Sequence, residues 1–311
     1  MYKHGGDIVY YGLDVGGTKI EFAAFDKDVN KVISERIPTP IYDYSLLVKS
    51  IVELINKHDD ILGCTGSIGI GIPGAERATD KSVITANIPC ANKRSLRNDI
   101  EISLGRPITL ENDANCFALS EAWAGNKPSH STILGLILGT GFGAGIINNG
   151  RIVSGKNNMA GELGHMRLPL DAWLFLKDNL TAEMFDCGCG KTGCLDNYLS
   201  GRGFELLYQS HFGIRESATE IADKYDRNDK NCVYFVDFYI EFLAICLGNI
   251  FTAIDPHTVY LGGGLSKFDA LYTKLPPLIN KYMMPNAEGP TINKANFGDS
   301  GGVRGAALLN I

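Results

Sequence analysis

Three cysteines lie within eight residues in the segment DCGCGKTGCLDN, residues 186–197. Their spacing, C-x-C-x4-C, offers three thiolate ligands and needs one more ligand to close a tetrahedral site. A histidine stands 22 residues before the first of them, in GELGH. These four residues would form the HisCys3 set of a structural zinc site: His165, Cys187, Cys189 and Cys194. A redox dithiol is the main alternative, but C-x-C differs from the C-x-x-C of thioredoxin-like motifs.

A glycine-rich turn near the start of the chain could bind an anion. The segment is LDVGGTK, residues 13–19, in which Gly16 and Gly17 let the backbone approach a bulky group closely. Successive backbone N–H groups in such turns form concavities that bind anions. Thr18 and Lys19 add a hydroxyl and an ammonium group. A tight hairpin turn with no ligand is the alternative interpretation of this segment.

Two later glycine runs favour nucleotide binding over simple turns. The segment LGTGFGAG, residues 138–145, has a glycine at every second position, which is more than an ordinary hairpin needs. No helix follows it, so the dinucleotide-binding fold does not fit. A third run, residues 262–264, follows a predicted strand and could let a flat purine lie against the backbone. Together the three runs predict a nucleotide site with phosphate-binding turns.

The polar cluster ENDAN, residues 111–115, is predicted to lie between a strand and a helix. Asn and Asp are good helix caps, so capping by Asn112 or Asp113 is one interpretation. Capping accounts for one residue of the cluster and not for the group. A carboxylate at the end of a strand suits a general base that takes a proton from an attacking hydroxyl. Asn112 beside it could hold that hydroxyl in line.

The elements that must position these residues follow an α/β pattern. The segment from about Ile8 to residue 26 predicts a strand, a glycine turn and a second strand. A similar strand–turn–strand segment begins at Thr132, which suggests two α/β halves that face one another across a cleft. Apolar spacing predicts the remaining elements as a helix at 45–58, strands at 67–72 and 107–110, and helices at 114–123, at 233–254 and from about 301.

Composition restricts the class of protein. The chain has 311 residues with 35 acidic and 29 basic side chains, and this acidic excess argues against a nucleic-acid partner. The first residues lack the apolar core of a signal peptide. The longest uncharged stretch, 128–150, is rich in glycine and polar residues and is interpreted as buried strands, not as a membrane span. We therefore expect a cytoplasmic protein that binds neither membrane nor nucleic acid.

The motifs resemble those of the ROK family of sugar kinases, and within it those of bacterial N-acetylglucosamine kinases. The resemblance runs nearly from end to end. It rests on GLDVGGTKI, GIGIPG, ENDANCFALSEAW, GLILGTGFGAG, GELGHMRLP, CGCGKTGC, NYLSGRGF and YLGGGLS. The pairing of GELGH with CGCGKTGC is highly specific to that family.

The resemblance implies the actin-like fold of sugar kinases and Hsp70 ATPases, with two α/β domains on either side of a nucleotide and sugar cleft. The expected domains are residues 1–118 plus 298–311, and residues 119–297. The implied reaction is ATP-dependent phosphorylation of N-acetylglucosamine at O6, with Mg2+, a structural Zn2+ and a possible homodimer. A glucokinase or another hexose or N-acetylmannosamine kinase is the main alternative. A sugar-responsive repressor of the same family would need a helix-turn-helix domain before the first strand, and a start at about Ile8 leaves no room for one.

The resemblance also assigns site residues by position. Asp113 matches the catalytic base, and Asn112, Glu162 and His165 match residues that hold sugar hydroxyls. The family places a sugar-binding glutamate two residues after the last cysteine, and at that position this chain has Asp196, which the resemblance implies as a sugar-binding residue although its carboxylate is one methylene shorter. The nucleotide residues implied are Gly12, Asp14, Gly16, Gly17, Thr18, Lys19, Gly139, Thr140, Gly141, Gly143, Gly262, Gly263 and Gly264.

Overall fold

The computed structural model describes residues 9–124, 127–180 and 183–311. These residues form two compact units. Unit 1 comprises residues up to 130, residues 145–160 and residues 296–311, and unit 2 comprises residues 131–144 and 161–295. The domain limits expected from the sequence, with a break at 118/119 and another at 297/298, stay a prediction.

Unit 1 is built on a five-stranded sheet whose strands run in the order β3-β2-β1-β4-β7. The first two strands form the predicted antiparallel hairpin, whereas β1, β4 and β7 are parallel. Ile8 lies outside the described residues. The elements of this unit are β1 (Tyr10–Val15), β2 (Lys19–Phe25), β3 (Lys31–Pro38), α1 (Tyr44–Leu62), β4 (Ser67–Ile72), β5 (Ala75–Glu76), β6 (Val83–Ile84), α2 (Leu96–Leu104), β7 (Ile108–Asn112), α3 (Asp113–Ala122), β8 (Trp123–Ala124) and β9 (Lys127–Pro128).

A second five-stranded sheet begins with the predicted second hairpin, β10 (Thr132–Leu138) and β11 (Phe142–Asn148). The chain passes from unit 2 to unit 1 within β11, and β12 (Arg151–Ile152) follows in unit 1. The remaining elements of unit 2 are α4 (Leu170–Asn179), α5 (Asp196–Leu199), α6 (Gly201–Phe212), α7 (Ala218–Asp226), α8 (Lys230–Ile254), β13 (Thr258–Gly262), α9 (Ala270–Tyr282) and β14 (Thr291–Lys294). The strand order is β12-β11-β10-β13-β14, and β10, β13 and β14 are parallel.

The last helix, α10 (Gly301–Leu308), returns to unit 1 and packs on its sheet. Glycines on two neighbouring strands make room for it. A Cβ atom at Gly12 of β1 would lie 1.9 Å from the backbone oxygen of Val303, and one at Gly69 of β4 would lie 1.8 Å from that of Ala306. No side chain fits at these distances, so Gly12 and Gly69 are required for the close approach of α10 to the sheet.

Helix α8 forms much of the core of unit 2. Among the described residues it is the one helix long and apolar enough to cross a membrane, but 72% of its apolar window is buried inside the protein. Its aromatic side chains pack against those of neighbouring helices: Phe235 contacts Phe204 of α6 at 5.0 Å between ring centroids, and Phe238 stacks on Phe175 of α4 at 5.3 Å. The burial of this helix is that of a core element.

Candidate functional site

The sheet of unit 1 brings two predicted site segments to one edge. Strands β1, β4 and β7 are parallel, so their carboxyl ends meet at the same edge. In register, Asp14 of β1 pairs with Gly71 of β4, and Gly71 pairs with Glu111 of β7. The first glycine turn therefore lies two strand spacings, about 10 Å, from the start of the Asn112–Asp113 segment. In open α/β sheets, ligands bind at such carboxyl ends.

Asn112 caps helix α3. Its Oδ1 accepts hydrogen bonds from the backbone N–H groups of Ala114 and Asn115, and its Nδ2 donates to the backbone oxygen of Gly74 at 2.9 Å. The capping interpretation thus holds for Asn112. Its amide is fixed by contacts to the backbone on both sides, which gives the first residue of the helix one defined orientation.

Asp113 is the first residue of α3 and is partly exposed. Its Oδ1 accepts the backbone N–H of Ala114 at 2.8 Å, so the carboxylate is held at the positive end of the helix dipole. Glu111 supports the same turn, because its Oε1 accepts the backbone N–H of Asn112 and the side-chain amide of Asn115. A partly exposed carboxylate in a fixed position has the geometry that a general base needs.

The first glycine turn joins β1 and β2. The N–H of Gly16 donates to the backbone oxygen of Lys19 at 3.0 Å, and Thr39 braces the turn by donating its hydroxyl to the oxygen of Gly16 at 2.7 Å. A Cβ atom at Gly17 would lie 2.9 Å from the backbone oxygen of Asn87, so the glycine permits that approach. The side chains of Thr18 and Lys19 are exposed. Glycine at position 12, in contrast, is explained by the packing of α10.

Asp14 is a carboxylate enclosed within this edge of the sheet. A Cβ atom at Gly302, in the first turn of α10, would lie 2.7 Å from its Oδ2. Burial, and then the nearby carboxylate of Glu21, raises the pKa of Asp14 to about 6, although Lys19 and Arg36 act in the opposite direction. Ionisation of such a carboxyl group is costly in the ligand-free protein. It becomes favourable when a cation lies beside the carboxylate.

The second glycine turn, residues 139–142, leaves two backbone donors available. The N–H of Gly139 donates to the oxygen of Gly141 at 3.1 Å, and the N–H of Phe142 donates to Oδ1 of Asp196 at 2.7 Å. Within the described residues, the N–H groups of Thr140 and Gly141 between them have no hydrogen-bond partner. Two adjacent N–H groups of this kind form a small anion-binding concavity. Gly143 follows in β11.

The third glycine run ends β13 and lies beside the second turn. Gly262 is the last residue of the strand. Gly263 has φ of 81°, and a Cβ atom there would lie 2.5 Å from the carbonyl carbon of Leu138, so both its conformation and its contact require glycine. A Cβ atom at Gly264 would meet nothing within 4 Å, so the backbone is open at this point.

The structure brings the four predicted metal ligands together. Their ligand atoms all lie within 4.8 Å of one another, with Sγ of Cys187 3.7 Å from Nδ1 of His165 and Sγ of Cys189 3.6 Å from Sγ of Cys194. Zn–S bonds of about 2.3 Å in a tetrahedron place sulfurs about 3.8 Å apart, so the set fits zinc. Burial, and then hydrogen bonding with Cys189 and Cys187, raises the pKa of the Cys194 thiol. A cation between the sulfurs would reverse that effect.

One ring nitrogen of His165 faces this cluster and the other faces Glu162. Nδ1 faces the sulfurs, whereas Nε2 lies 3.9 Å from Oε2 of Glu162. Both side chains are nearly half exposed, at 48% for His165 and 41% for Glu162. Metal binding through Nδ1 therefore leaves Nε2 and the Glu162 carboxylate as a polar pair for a further ligand.

Two arginines that the sequence analysis did not single out support the same region of unit 2. Arg167 donates from Nη1 to Sγ of Cys194 at 2.9 Å and to the backbone oxygen of His165 at 3.1 Å. A zinc ion bound by three thiolates and a neutral histidine would carry one net negative charge, which the guanidinium group of Arg167 would offset. Arg202 donates to Oδ2 of Asp196 at 2.9 Å. No spacing in the sequence links either arginine to the cysteine cluster.

The sequence matches a known protein family and known relatives over nearly its whole length. The ROK family profile matches residues 10–311. The N-acetyl-D-glucosamine kinase of Vibrio atlanticus (strain LGP32) is 53% identical over 303 residues, covering 97% of this chain and all of the relative. That of Vibrio vulnificus (strain YJ016) is 54% identical over 303 residues, covering 97% of this chain and 99% of the relative.

Solved structures agree on the fold. A ROK hexokinase from Thermus thermophilus superimposes with a TM-score of 0.83 at 29% identity, covering 97% of both chains. A ROK family glucokinase from Streptomyces griseus in complex with glucose and AMPPNP gives a TM-score of 0.75 at 23% identity, covering 98% of this chain and 99% of the other. These matches confirm the α/β actin-like fold expected from the motifs.

Proposed function

The chain belongs to the ROK family, and from that premise we propose that it is an ATP-dependent kinase that phosphorylates N-acetyl-D-glucosamine at O6. One observation carries the proposal: the sheet of unit 1 holds the first phosphate turn and the Asn112–Asp113 segment at the same edge. Phosphoryl transfer needs this arrangement, with a base near the phosphate-binding groups. The relatives at 53% and 54% identity support N-acetyl-D-glucosamine as the sugar.

In this proposal Asp113 is the general base. Its carboxylate, fixed at the start of α3, accepts the proton of the sugar 6-hydroxyl as that oxygen attacks the γ-phosphorus of ATP. Asn112 orients the segment by capping the helix, and the second N–H of its Nδ2 would donate to a sugar hydroxyl. The phosphoryl group is transferred to the sugar oxygen, and ADP is the leaving group. The proton stays on Asp113 until it passes to solvent.

The glycine turns bind the nucleotide in the proposed mechanism. In unit 1, backbone N–H groups of the first turn, with Thr18 and Lys19, would bind phosphate oxygens, and in unit 2 the N–H groups of Thr140 and Gly141 would donate hydrogen bonds to phosphate oxygens. Asp14 would hold Mg2+, whose charge keeps that buried carboxylate ionised and offsets the charge of the β- and γ-phosphates. The open backbone at Gly264 leaves room for the purine.

The HisCys3 set would hold a structural zinc ion, which supplies a fixed charge and geometry, because all four of its positions are taken by protein ligands. His165 is then locked in one tautomer and orientation, with Nε2 available to a sugar hydroxyl. Glu162, next to it, would accept a hydrogen bond from a second hydroxyl. A homodimer, a cytoplasmic location and the domain limits given by the sequence are further parts of this proposal.

An assay of ADP release over a panel of sugars tests the proposal. The panel contains N-acetyl-D-glucosamine, N-acetyl-D-mannosamine, glucose and fructose, each with ATP and Mg2+. We expect the highest kcat/KM for N-acetyl-D-glucosamine and a product phosphorylated at O6 by NMR. A higher kcat/KM for glucose would favour the glucokinase alternative, and no turnover with any sugar would refute the kinase.

A further inference from the structure

We propose that Asp196 is a positioning residue for the second phosphate turn, and that it acts there instead of binding sugar. This inference rests on the proposed function. It concerns a residue at which the chain departs from the glutamate expected two residues after the last cysteine. The geometry around the shorter side chain carries the argument.

Both carboxylate oxygens of Asp196 are engaged inside the protein. Oδ1 accepts the backbone N–H of Phe142 at 2.7 Å, and Oδ2 accepts from Nη2 of Arg202 at 2.9 Å. The side chain is 18% exposed, compared with 41% for Glu162. A carboxylate that is bonded at both oxygens and mostly buried offers little to a sugar, but it defines the position of the backbone that it holds.

The phosphate turn is held at both ends by one short segment, residues 196–202. At one end Asp196 accepts the N–H of Phe142, and at the other end the N–H of Gly201 donates to the backbone oxygen of Gly139 at 2.7 Å. A Cβ atom at Gly141 would lie 3.0 Å from Oδ1 of Asp196, so glycine permits the close approach. The segment thus fixes residues 139 and 142 and leaves the N–H groups of residues 140 and 141 for an anion.

The same segment continues directly from the cysteine cluster. The N–H of Asn197 donates to the backbone oxygen of Cys194 at 3.1 Å, and the Asn197 side chain donates to the oxygen of Asp186 at 2.9 Å, which closes the cysteine loop. A Cβ atom at Gly164, next to His165, would lie 2.3 Å from the oxygen of Phe142. Asp196 therefore connects the metal-binding loop to the phosphate turn, and this coupling is the role that we infer.

Nucleotide binding without sugar separates this role from sugar binding. The Kd of a non-hydrolysable ATP analogue with Mg2+ is measured by calorimetry for the wild-type protein and for Asp196→Ala. Loss of the acceptor for the Phe142 N–H should raise the Kd of the analogue about tenfold. The Kd of N-acetyl-D-glucosamine, measured without nucleotide, should stay within about twofold of wild type.

Asp171→Ala is the matched control, because Asp171 is an exposed carboxylate of unit 2 that also accepts a backbone N–H, that of Ala172. It should leave both Kd values unchanged. Should Asp196→Ala fail to fold, as judged by its zinc content and Tm, Arg202→Gln replaces it. The Kd of the analogue should then rise about threefold. An unchanged Kd for the analogue in the folded variant, with or without weaker sugar binding, overturns the inference. A wild-type protein that bound no nucleotide would instead overturn the proposed function.

Discussion

At the scale of single residues, the proposed chemistry depends most on Asp113, the general base. Replacing it with asparagine removes the proton acceptor, while the side-chain oxygen can still accept the Ala114 N–H. We expect Asp113→Asn to lower kcat by about 10²- to 10⁴-fold, the usual contribution of a general base, with little change in the KM for ATP. Steady-state kinetics of ADP release measure both quantities.

The control for Asp113→Asn is Asp80→Asn, which makes the same chemical change in an exposed turn of unit 1. Asp80 accepts hydrogen bonds from Ser82 and lies outside the proposed site. Its kcat should equal that of wild type. If Asp113→Asn retained wild-type kcat with an unchanged Tm, another group would have to be the base.

Asp14 gives a prediction about pH. Its pKa rises from 3.8 to about 6 on folding, so ionised Asp14 opposes folding of the ligand-free protein. Its favourable contribution is complete below pH 3.8 and is lost as the pH rises through about 6. At pH 8, Asp14→Asn should therefore be more stable than wild type, by up to about 3 kcal/mol.

Urea unfolding of Asp14→Asn and wild type at pH 8 and at pH 4 measures this difference. The gap between the two proteins should be large at pH 8 and nearly absent at pH 4. The same variant should bind Mg2+ and ATP more weakly, because stability is gained by removing a functional charge. An equal gap at both pH values would contradict the assignment of burial as the cause.

At the scale of elements, the packing of α10 on the sheet of unit 1 predicts a stability defect. A Cβ atom at Gly69 would lie 1.8 Å from the backbone oxygen of Ala306, and a backbone oxygen cannot rotate away as a side chain can. Gly69→Ala should therefore lower the free energy of unfolding by about 1–3 kcal/mol or more. Gly264→Ala, where nothing lies within 4 Å, should leave it unchanged. Urea denaturation followed by circular dichroism compares the two, and equal midpoints would show that α10 can shift at no cost.

Elements set by neighbouring residues could be predicted from the sequence. The hairpin at residues 10–25 follows from a glycine pair between two apolar runs, and α3 is capped by Asn112, one of the two residues considered as its cap. The spacing of the cysteines predicts three thiolate ligands, and the structure brings them together with His165. In each case most of the residues that define the feature lie close together in the chain.

Contacts between distant residues could not be predicted in the same way. Gly12 was assigned to the nucleotide from its motif, yet its lack of a side chain is explained by Val303, 291 residues later. The hydrogen bond from the Phe142 N–H to Asp196 joins residues that are 54 positions apart in the chain. In the sequence, Asp196 is seen only as an acidic side chain shorter than the expected glutamate. Arg167 and Arg202 have no spacing rule that links them to the cysteines. Their roles become visible only when the chain has folded.

At the scale of the whole molecule, the proposed zinc ion is expected to affect the binding of both the sugar and the nucleotide. In the proposed function the HisCys3 set holds zinc, and removing that ion with a chelator should free His165 and loosen the loop that precedes Asp196. Affinity for N-acetyl-D-glucosamine should fall about tenfold or more, with a smaller loss for the ATP analogue, and adding zinc back should restore both. Calorimetry before and after metal removal, with zinc content measured by mass spectrometry, provides the comparison. Full sugar affinity in the zinc-free protein would show that the metal is not needed for positioning.

The return of α10 to unit 1 has a consequence for how the protein is made. The strands that carry Gly12 and Gly69 precede unit 2 in the chain, whereas the helix that covers them emerges from the ribosome only after residues 161–295. Unit 2, apart from residues 131–144, is contributed by one uninterrupted stretch, residues 161–295, and can be completed before α10 is made. During translation the first sheet must therefore remain partly uncovered, and nascent chains stalled before residue 301 should depend on chaperones.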